Sequence, residues 1–476
     1  MLAKNVEMQS LGEVAGTVNV SPNSSFIKRL FTFGGPAFLV SVGYMDPGNW
    51  GTDMAGGSQY GYKLLWVILL SNLMAQVLQV LCARLGLVTG LDLASACRTQ
   101  YKKPAAIALW FLAEIAIIAT DLAEVIGSAV ALKLLIGLDL VWGVLLTGAD
   151  VLILLALMKF GFRLIEAIVI TLVGTIGVCF AFQMFIAKPD IAAATAGMLI
   201  PSMPDTNALL ISLGILGATV MPHNLYLHSA VVQTRKFADL KQAIKFNTAD
   251  TIVALSLAFF VNASILILAA AVFKFPVNEL EQGHKLLQGA LGGAAATAFA
   301  VALLCSGQSS TITGTLAGQV VMEGFLQIKV KPWIRRLVTR LLAIVPALFV
   351  IIYTGGAHTV QMLVVSQIVL SAQLSFAIFP LIMLTSNRKL MGEFVSPTWL
   401  TTVGYTICML VASLNVYALA ATLNDKVFGY PTNPFAPPGW MAVGLLGAIV
   451  AGFAAWVKFG YEEKSGRSPS TQEPSQ

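Results

Sequence analysis

Charged residues are scarce in this chain: Asp, Glu, Lys and Arg make up only 11% of its 476 residues, against about a quarter in an ordinary soluble domain. Hydrophobic residues make up 57%, and the mean hydropathy is +0.81. This composition excludes a soluble globular protein and predicts a polytopic membrane protein.

Cysteine is scarce as well. The five cysteines are scattered, mostly in apolar stretches, and no two form a CxxC pair, so neither a disulfide framework nor a zinc site follows. The first 27 residues contain Glu7 and Glu13 and lack an apolar core, so a cleavable secretory signal is not expected. The Ser/Pro-rich tail after Tyr461 is expected to be disordered.

Long hydrophobic runs, in contrast, are abundant. A bilayer crossing takes about 20 apolar residues, and twelve such runs are predicted, giving a helical membrane protein with twelve transmembrane helices. They lie at 34–58, 62–84, 105–131, 140–158, 164–187, 207–233, 248–273, 292–323, 337–355, 359–384, 398–421 and 438–458.

Basic residues orient these spans. With the N-terminus inside, only six of the 29 Lys and Arg residues fall outside, namely Lys63, Lys133, Lys188, Lys274, Lys285 and Lys426. The positive-inside rule therefore predicts that both termini are cytoplasmic. Because cytoplasmic loops account for the net charge of +6, no nucleic-acid partner is implied.

Two of the spans, the first and the sixth, are interrupted by proline. Their breaks read Asp46-Pro47-Gly48-Asn49 and Met221-Pro222-His223-Asn224. Proline removes a helical hydrogen bond, and the bilayer tolerates the freed backbone only where protein buries it or it lines a wet cavity. Ordinary proline kinks are the alternative interpretation, but they leave a carboxylate at mid-span unexplained.

Corresponding broken helices in two halves of a chain are typical of secondary transporters built from inverted repeats. Five spans per repeat, an odd number, would invert the second repeat. The predicted organisation is a cytoplasmic segment at 1–33, a first repeat at 34–187, a second repeat at 207–384, two further spans within 398–458, and a cytoplasmic tail at 459–476.

The side chains at the breaks favour a transition-metal ion. A charge at the bilayer centre costs about 2.5–3.5 kcal/mol, so Asp46 needs a cation, a proton or a partner. Asn49 offers an amide oxygen, and Met221 offers a thioether, which favours later transition metals over Ca²⁺ or Mg²⁺. A methionine that only fills space is the alternative. His223 is suited to a proton relay or to structural support, and His228 has no assigned role.

Acidic residues gather in the third span. Glu114, Asp121 and Glu124 share one helical face, and three acids in a membrane helix should not face lipid. They form either a chain of protonatable groups or structural pairs with bases such as Arg235 or Arg340. In the tenth span, amides at positions 367 and 373 either complete a coordination shell or serve helix packing.

These motifs resemble the Nramp (natural resistance-associated macrophage protein) family of proton-coupled divalent-metal transporters, and most of all its bacterial manganese transporters. The matching segments are DPGN at 46–49, ATVMPH at 218–223, the acidic stretch 114–124, SGQSSTITGTLAGQ at 306–319 and SQIVLSAQLSFA at 366–377. The likeness covers about residues 30–420. At Ser375 this chain departs from the proline that is usual in the family, which affects a helix bend.

The resemblance implies a LeuT-type fold and a set of site residues. It implies metal ligands at Asp46, Asn49, Met221 and the Ala218 carbonyl, joined by Gln367 in an occluded state. It also implies a proton pathway through Asp46, His223, Asp121 and Glu124, with Glu114 beside it and Arg340, or alternatively Arg336, in the same salt-bridge network.

The predicted function is import of Mn²⁺, Fe²⁺, Cd²⁺ or Co²⁺ with protons by alternating access, in a monomer without cofactors. The alternatives are an Nramp-related Mg²⁺ carrier and a sodium-coupled amino-acid symporter, whose substrate carboxylate Asp46 would repel. A membrane sensor would need a soluble signalling domain, for which the predicted terminal segments are too short. An intramembrane enzyme would need a motif that activates Ser309 or Ser310, and the sequence around them has none. Short external loops without glycosylation sequons favour a bacterial inner membrane.

Overall fold

The computed structural model describes residues 10–11, 15–19, 35–148, 162–237, 239–327, 332–426 and 437–461. The predicted tail after Tyr461 and most of segment 1–33 lie outside these ranges. Helices dominate the described residues. Two short strands, β1 (Val18–Asn19) and β2 (Arg235–Lys236), pair in parallel where the N-terminal segment meets the end of the sixth span.

Seventeen α-helices are bounded within the described residues. They are α1 (Pro36–Ser41), α2 (Pro47–Tyr60), α3 (Leu65–Thr89), α4 (Leu93–Gln100), α5 (Lys103–Ile136), α6 (Phe162–Ala187), α7 (Ile191–Leu199), α8 (Thr206–Val220), α9 (Pro222–Val231), α10 (Leu240–Val272), α11 (Leu280–Leu291), α12 (Gly293–Leu326), α13 (Pro332–Thr354), α14 (Thr359–Thr385), α15 (Arg388–Met391), α16 (Thr398–Lys426) and α17 (Pro437–Phe459). Residues 140–148 are also helical.

Among the described residues, nine helical segments are long and apolar enough to cross a bilayer, with α2 and α3 taken together as one and α8 and α9 as another. The shorter apolar helices at Pro36–Met45 and Val443–Phe459 correspond to parts of the first and twelfth predicted spans. The fourth, 140–158, lies partly outside the described residues. The chain is a multi-pass membrane protein, and the count of twelve spans stays a prediction.

The broken helices lie at the centre of the bundle. In the most apolar window of Thr206–Thr234, 94% of the residues are buried, compared with 28% in Phe162–Ala187 and in Leu337–Thr354. A polar break is tolerated at mid-span only where protein surrounds it, and this central position provides that surrounding. The five cysteines are all free thiols, as the sequence predicts.

A candidate metal site at the two helix breaks

The first break separates α1 from α2. A 3₁₀ turn over Val42–Met45 follows α1 and ends at Asp46, whose φ of −57° and ψ of 150° are not helical. Pro47 opens α2 at the position where its missing N–H is tolerated. The Asp46 carboxylate caps α2 by accepting from the Gly48 amide at 3.2 Å. Because Pro47 has no N–H, the Gly43 carbonyl loses its i+4 donor.

The second break separates α8 from α9 in the same way. Met221, at φ 19° and ψ 109°, ends α8, and Pro222 opens α9. The Met221 amide still donates to Gly217 at 3.2 Å, and the Asn224 amide donates back to the Met221 carbonyl at 3.1 Å. Since Pro222 cannot donate to the carbonyl four residues earlier, the Ala218 carbonyl loses its helical partner. The predicted interruption of both helices is confirmed.

The Asn49 side chain brings the two breaks together. One end of its amide lies 3.1 Å from the Gly43 carbonyl oxygen and 3.2 Å from the Ala218 carbonyl oxygen. These are the two carbonyls that Pro47 and Pro222 deprive of helical donors. Asn49 is fully buried, so bulk water does not replace those donors. Three polar atoms from both halves of the chain therefore converge at one buried point.

The Met221 sulfur lies against the first break. A Cβ placed on Gly43 would be 2.9 Å from the Met221 sulfur and would overlap the Asn224 amide. That amide donates to the Met221 sulfur at 3.6 Å and to the Val40 carbonyl at 3.4 Å. Only glycine at position 43 permits this approach. The buried thioether therefore lies beside Gly43, the residue whose carbonyl loses its i+4 donor at the first break.

Gln367 of α14 closes the site from the other side. A methyl group on Gly48 would overlap the Gln367 amide and would lie 2.9 Å from the Asp46 carboxylate. The Gln367 nitrogen donates to the Ser366 hydroxyl at 3.1 Å. Within the described part of the chain, the Gln367 side-chain oxygen and Asp46 Oδ1 have no hydrogen-bond partner. Both are buried oxygens available to a cation. Helix α14 runs unbroken through Ser375.

The donor set is mixed rather than rich in charge. Among the described residues, no group of three or more His, Cys, Asp or Glu side chains is placed to hold a metal ion. A cation at the breaks would therefore depend on one carboxylate, two main-chain carbonyls, amide oxygens and a thioether. Sulfur in such a set favours Mn²⁺, Fe²⁺ and later metals over Mg²⁺ or Ca²⁺.

The two histidines of α9 have different surroundings. His223 follows the second break directly, and its Nδ1 lies 3.3 Å from the Thr120 hydroxyl of α5. That contact places His223 next to the acidic helix. His228 lies further along α9, and its Nδ1 is 3.0 Å from the Gln79 side-chain oxygen of α3. Only His223 therefore connects the breaks with the acids of α5.

Asp121 and Glu124 meet a single arginine. Arg340 of α13 lies 3.0 Å from Glu124 and 3.7 Å from Asp121. The Thr311 hydroxyl of α12 donates to Glu124 at 3.1 Å and accepts from Arg340 at 3.1 Å. All four side chains are buried. The buried arginine compensates two carboxylates that would otherwise be very costly in this environment.

The remaining bases and acids of the sequence prediction lie elsewhere. Arg235 contacts Glu166 of α6 at 2.8 Å, so the interpretation that pairs Arg235 with the third-span acids is wrong. Glu114 is half-buried and accepts from the Trp110 indole at 3.1 Å. The side chain of Arg336 lies outside the described part of the structure, and Arg340 occupies the salt bridge.

Sequence reasoning missed a second polar group behind Asn49. One end of the Asn262 amide of α10 lies 3.1 Å from the far end of the Asn49 amide, 2.7 Å from Asp53 Oδ2 and 3.2 Å from the Tyr44 carbonyl. The other end lies 3.4 Å from the Thr219 hydroxyl. A single asparagine within an apolar span gives no spacing signal. Asp53, however, lies seven residues after Asp46, which places both on one helical face.

Known proteins are similar in sequence over most of this chain. The chain is 53% identical over 427 residues to a divalent metal cation transporter MntH of Agrobacterium fabrum, covering 87% of this chain and 93% of that protein. It is 52% identical over 425 residues to a protein of the same name from a Nostoc species, with coverages of 87% and 96%.

Solved structures agree with this fold. The manganese transporter of Eremococcus coleocola superposes with a TM-score of 0.85 at 37% identity, covering 95% of this chain and 99% of that one. Mhp1, a nucleobase-cation-symport-1 family transporter, matches with a TM-score of 0.57 at 15% identity over 97% of each chain. The latter likeness concerns the fold alone, and it confirms the predicted LeuT-type architecture.

A family model described as natural resistance-associated macrophage protein-like matches residues 37–421. That range contains both breaks, the acidic face of α5 and Gln367 of α14. Together with the relatives, this match shows that the chain belongs to the Nramp family, whose members are transporters and not enzymes.

Proposed function

We propose that this protein is a secondary active transporter that imports Mn²⁺ or Fe²⁺, and also Cd²⁺ or Co²⁺, together with protons by alternating access. Its relatives are named as divalent metal cation transporters, and a structural neighbour is named as a manganese transporter. The proposal assigns the metal to Asp46, Asn49, the Ala218 carbonyl and Met221, with Gln367 as a further ligand.

The convergence of both breaks on Asn49 carries this proposal. One end of the Asn49 amide lies 3.1 Å from the Gly43 carbonyl oxygen and 3.2 Å from the Ala218 carbonyl oxygen. Neighbouring ligands of an octahedral metal ion have this separation when the metal–oxygen distance is about 2.2 Å. That distance lies between the values for Mg²⁺ and Ca²⁺. When the Asn49 oxygen faces the Gly43 and Ala218 carbonyls, a cation among them removes the repulsion of three acceptors.

Met221 argues against a Mg²⁺ carrier, because Mg²⁺ retains its water and takes oxygen ligands. The sodium-coupled amino-acid symporter is disfavoured by charge. The Asp46 carboxylate occupies the break where a substrate carboxylate would have to bind. Asp46 instead balances part of the charge of a dication.

For the protons, we assign a route through Asp46, His223, Asp121 and Glu124. Support comes from the His223–Thr120 contact, because Thr120 precedes Asp121 in α5. Arg340 lies where it can stabilise the acids in their charged form. Glu114 lies further along the same helix, at the edge of this route.

For the transport cycle, we place both termini in the cytoplasm of a cell membrane and treat residues 34–187 and 207–384 as two repeats, in which rocking of spans one and six alternates access to the site. A membrane potential that is negative inside favours entry by about 2.3 kcal/mol per charge per 100 mV. A dication gains twice that free energy. The monomer suffices, since every proposed ligand belongs to one chain.

Uptake into proteoliposomes tests this function. Full-length protein should accumulate Mn²⁺ under an inward proton gradient, and the lumen should acidify as the metal enters. Competition by Cd²⁺ should exceed competition by Ca²⁺ or Mg²⁺ at equal concentration. Absence of metal uptake, or preference for Mg²⁺, would contradict the proposed function.

A further inference from the structure

A groove runs between α14, α16 and α17, on the side of the bundle away from the helix breaks. It encloses a cavity of about 370 Å³, which is within the size range of ligand sites. Phe376, Phe379 and Pro380 of α14 line one wall, and residues between Val443 and Val457 of α17 line another. None of the described lining residues is charged. The groove is therefore suited to a hydrocarbon chain.

The groove opens to the outer surface of the bundle, where lipid surrounds a membrane protein. Met409 of α16 lines the groove and is 65% exposed, and Ala451 of α17 lines it and is exposed as well. From Val443 to Val457 it extends about 21 Å along α17, at a rise of about 1.5 Å per residue. One leaflet contributes about 15 Å of hydrocarbon, half of a bilayer core of about 30 Å. An acyl chain in the groove can thus reach from the bilayer surface to the midplane.

Basic residues surround the end of the groove at Val457. Lys458 follows Val457 directly. Leu109 of α5 also lines the groove, and Lys103 lies about 9 Å before it along the same helix. The side chains of Lys102, Lys103 and Lys458 are exposed, and no ion pair within the described part of the chain engages them. Three cations are therefore available beside an apolar groove.

Direct contacts hold the helix ends that carry these cations together. The Lys102 amide donates to the Gly460 carbonyl at 2.7 Å, and the rings of Tyr101 and Tyr461 lie 5.3 Å apart in an edge contact. The Asn387 side chain donates to the Tyr461 hydroxyl. The start of α5 and the ends of α14 and α17 thus meet at one point. The lysines form one cluster because these ends are joined.

The balance of charge at this end of the bundle is positive. Arg388 and Lys389 of α15 add two exposed cations, and Glu462 and Glu463, which follow α17 in the sequence, offset only part of the charge. Trp456 lies in the last turn of α17 and is 45% exposed. Because tryptophan is enriched at membrane–water interfaces, this cluster lies at the level of the lipid headgroups.

We propose that the groove binds an anionic phospholipid, with one acyl chain between α14 and α17 and the phosphate beside Lys102, Lys103 and Lys458. An apolar groove that ends in a basic cluster matches both parts of such a lipid. A zwitterionic phospholipid offers the same chain, but the cation of its own headgroup opposes the lysines. On the predicted topology this end is cytoplasmic, where the membrane surface is negatively charged.

The lipid site is separate from the candidate metal site, but the two share a helix. Helix α14 contributes Gln367 to the metal site and Phe376 and Phe379 to the wall of the groove. A lipid in the groove therefore packs against the helix that carries a proposed metal ligand. Binding of the lipid itself requires no metal, so it is measured without Mn²⁺ and does not depend on the proposed transport.

Native mass spectrometry of the full-length protein tests the headgroup. After incubation with equal amounts of phosphatidylglycerol and phosphatidylcholine, the protein should retain one phosphatidylglycerol in preference. The combined changes Lys102→Gln, Lys103→Gln and Lys458→Gln should lower the retained ratio of the two lipids at least about tenfold, since each basic residue near an anionic lipid surface contributes about fivefold. An unchanged ratio would overturn the headgroup site.

The matched control removes the same charge elsewhere. Lys63→Gln, Lys188→Gln and Lys274→Gln change three exposed lysines on the opposite predicted side of the membrane, and together they should leave the ratio unchanged. Equal retention of the two phospholipids by the parent protein would show a site that takes any acyl chain, and it would overturn the proposal of an anionic lipid.

Gly447→Phe tests the groove itself and leaves every cation in place. Gly447 lines the cavity, and a Cβ at this position meets no atom within 4 Å, so the ring takes the place of the acyl chain without a clash. Retention of phosphatidylglycerol should be largely lost. Gly452→Phe adds the same ring to α17 where space is also open but outside the described lining of the cavity, and it should retain the lipid. Full retention by Gly447→Phe would overturn the groove as the binding site.

Discussion

The two helix breaks share a backbone plan but differ in chemistry. Each has a proline at the first position of the second half-helix, and each proline deprives one carbonyl of its donor. The first break adds a carboxylate and an amide, both hard oxygen donors. The second adds a thioether and an imidazole. On the proposed assignment, the freed carbonyls account for the binding of a cation, and the side chains account for the choice of cation.

The breaks also differ in how they are held. Asp46 caps α2 with its own carboxylate, whereas Met221 makes no side-chain cap to α9. The Met45 carbonyl beside the first break accepts from the Ser306 hydroxyl and from the Trp50 indole. The first break is thus anchored by hydrogen bonds to Asp46 and Met45, whereas at the second break the Asn224 amide contacts the Met221 sulfur and the Val40 carbonyl. We expect charge changes to act through the first break and selectivity changes through the second.

The largest effect is expected from Asp46→Asn. Loss of the only carboxylate at the breaks should lower Mn²⁺ uptake by at least about 100-fold, since loss of even a supporting partner of a metal ligand costs about 10–100-fold. Initial rates of uptake into proteoliposomes measure it. Asp92→Asn is the matched control, because Asp92 is a buried carboxylate that caps α4 away from the breaks. Equal activity of the two variants would contradict the site.

A smaller effect, confined to selectivity, is expected from Met221→Ala. Removal of the thioether should weaken competition by Cd²⁺ about tenfold, or about 1.4 kcal/mol, while competition by Ca²⁺ and Mg²⁺ increases. Inhibition curves against Mn²⁺ uptake give both numbers. Met54→Ala removes another buried thioether, which packs on Gly283, and should leave the ratios unchanged. An unaltered Cd²⁺ preference in Met221→Ala would show that sulfur is not a ligand.

Restoring one N–H at each break compares the two backbones directly. Pro47→Ala and Pro222→Ala each return a donor to a freed carbonyl, Gly43 or Ala218. A net hydrogen bond is worth about 1 kcal/mol, so the apparent Km for Mn²⁺ should rise about fivefold in Pro222→Ala, because the Ala218 carbonyl is a proposed ligand. The rise should be smaller in Pro47→Ala, because the Gly43 carbonyl is not in the proposed ligand set. If Km rises only in Pro47→Ala, the assignment of the Ala218 carbonyl is wrong.

The smallest effect concerns the two histidines of α9. His223→Gln should flatten the pH dependence of uptake, because the contact with Thr120 places His223 on the proposed proton route. His228→Gln should change uptake by less than about twofold, since glutamine can still bond to Gln79. The measurement is the initial rate at a series of external pH values. A flattened profile in His228→Gln alone would reverse the assignment.

The sequence predicts the breaks because proline acts locally. Both interruptions fall where Pro47 and Pro222 place them, and the four-residue offset of a helical bond identifies Ala218 as a freed carbonyl once the break is known. Asp121 and Glu124 are predicted to share a face because that face follows from helical spacing alone. These features need no knowledge of which helices are neighbours.

The contacts of Asn262 and Arg235 could not be predicted from the sequence, because they depend on which helices pack together. Asn262 reaches Asn49 only because α10 lies beside α2, and Arg235 reaches Glu166 only because the end of the sixth span meets α6. Nothing in the spacing of either residue specifies its neighbour. Asp53 lies seven residues after Asp46, but its contact with Asn262 is likewise set by packing and is visible only in the fold.

The most direct measurement of the central claim is anomalous scattering from crystals of the full-length protein loaded with Mn²⁺. The account predicts a single strong peak between the breaks, within bonding distance of Asp46, Asn49, the Ala218 carbonyl and the Met221 sulfur. A peak that contacts only one break, or one elsewhere in the bundle, would contradict it.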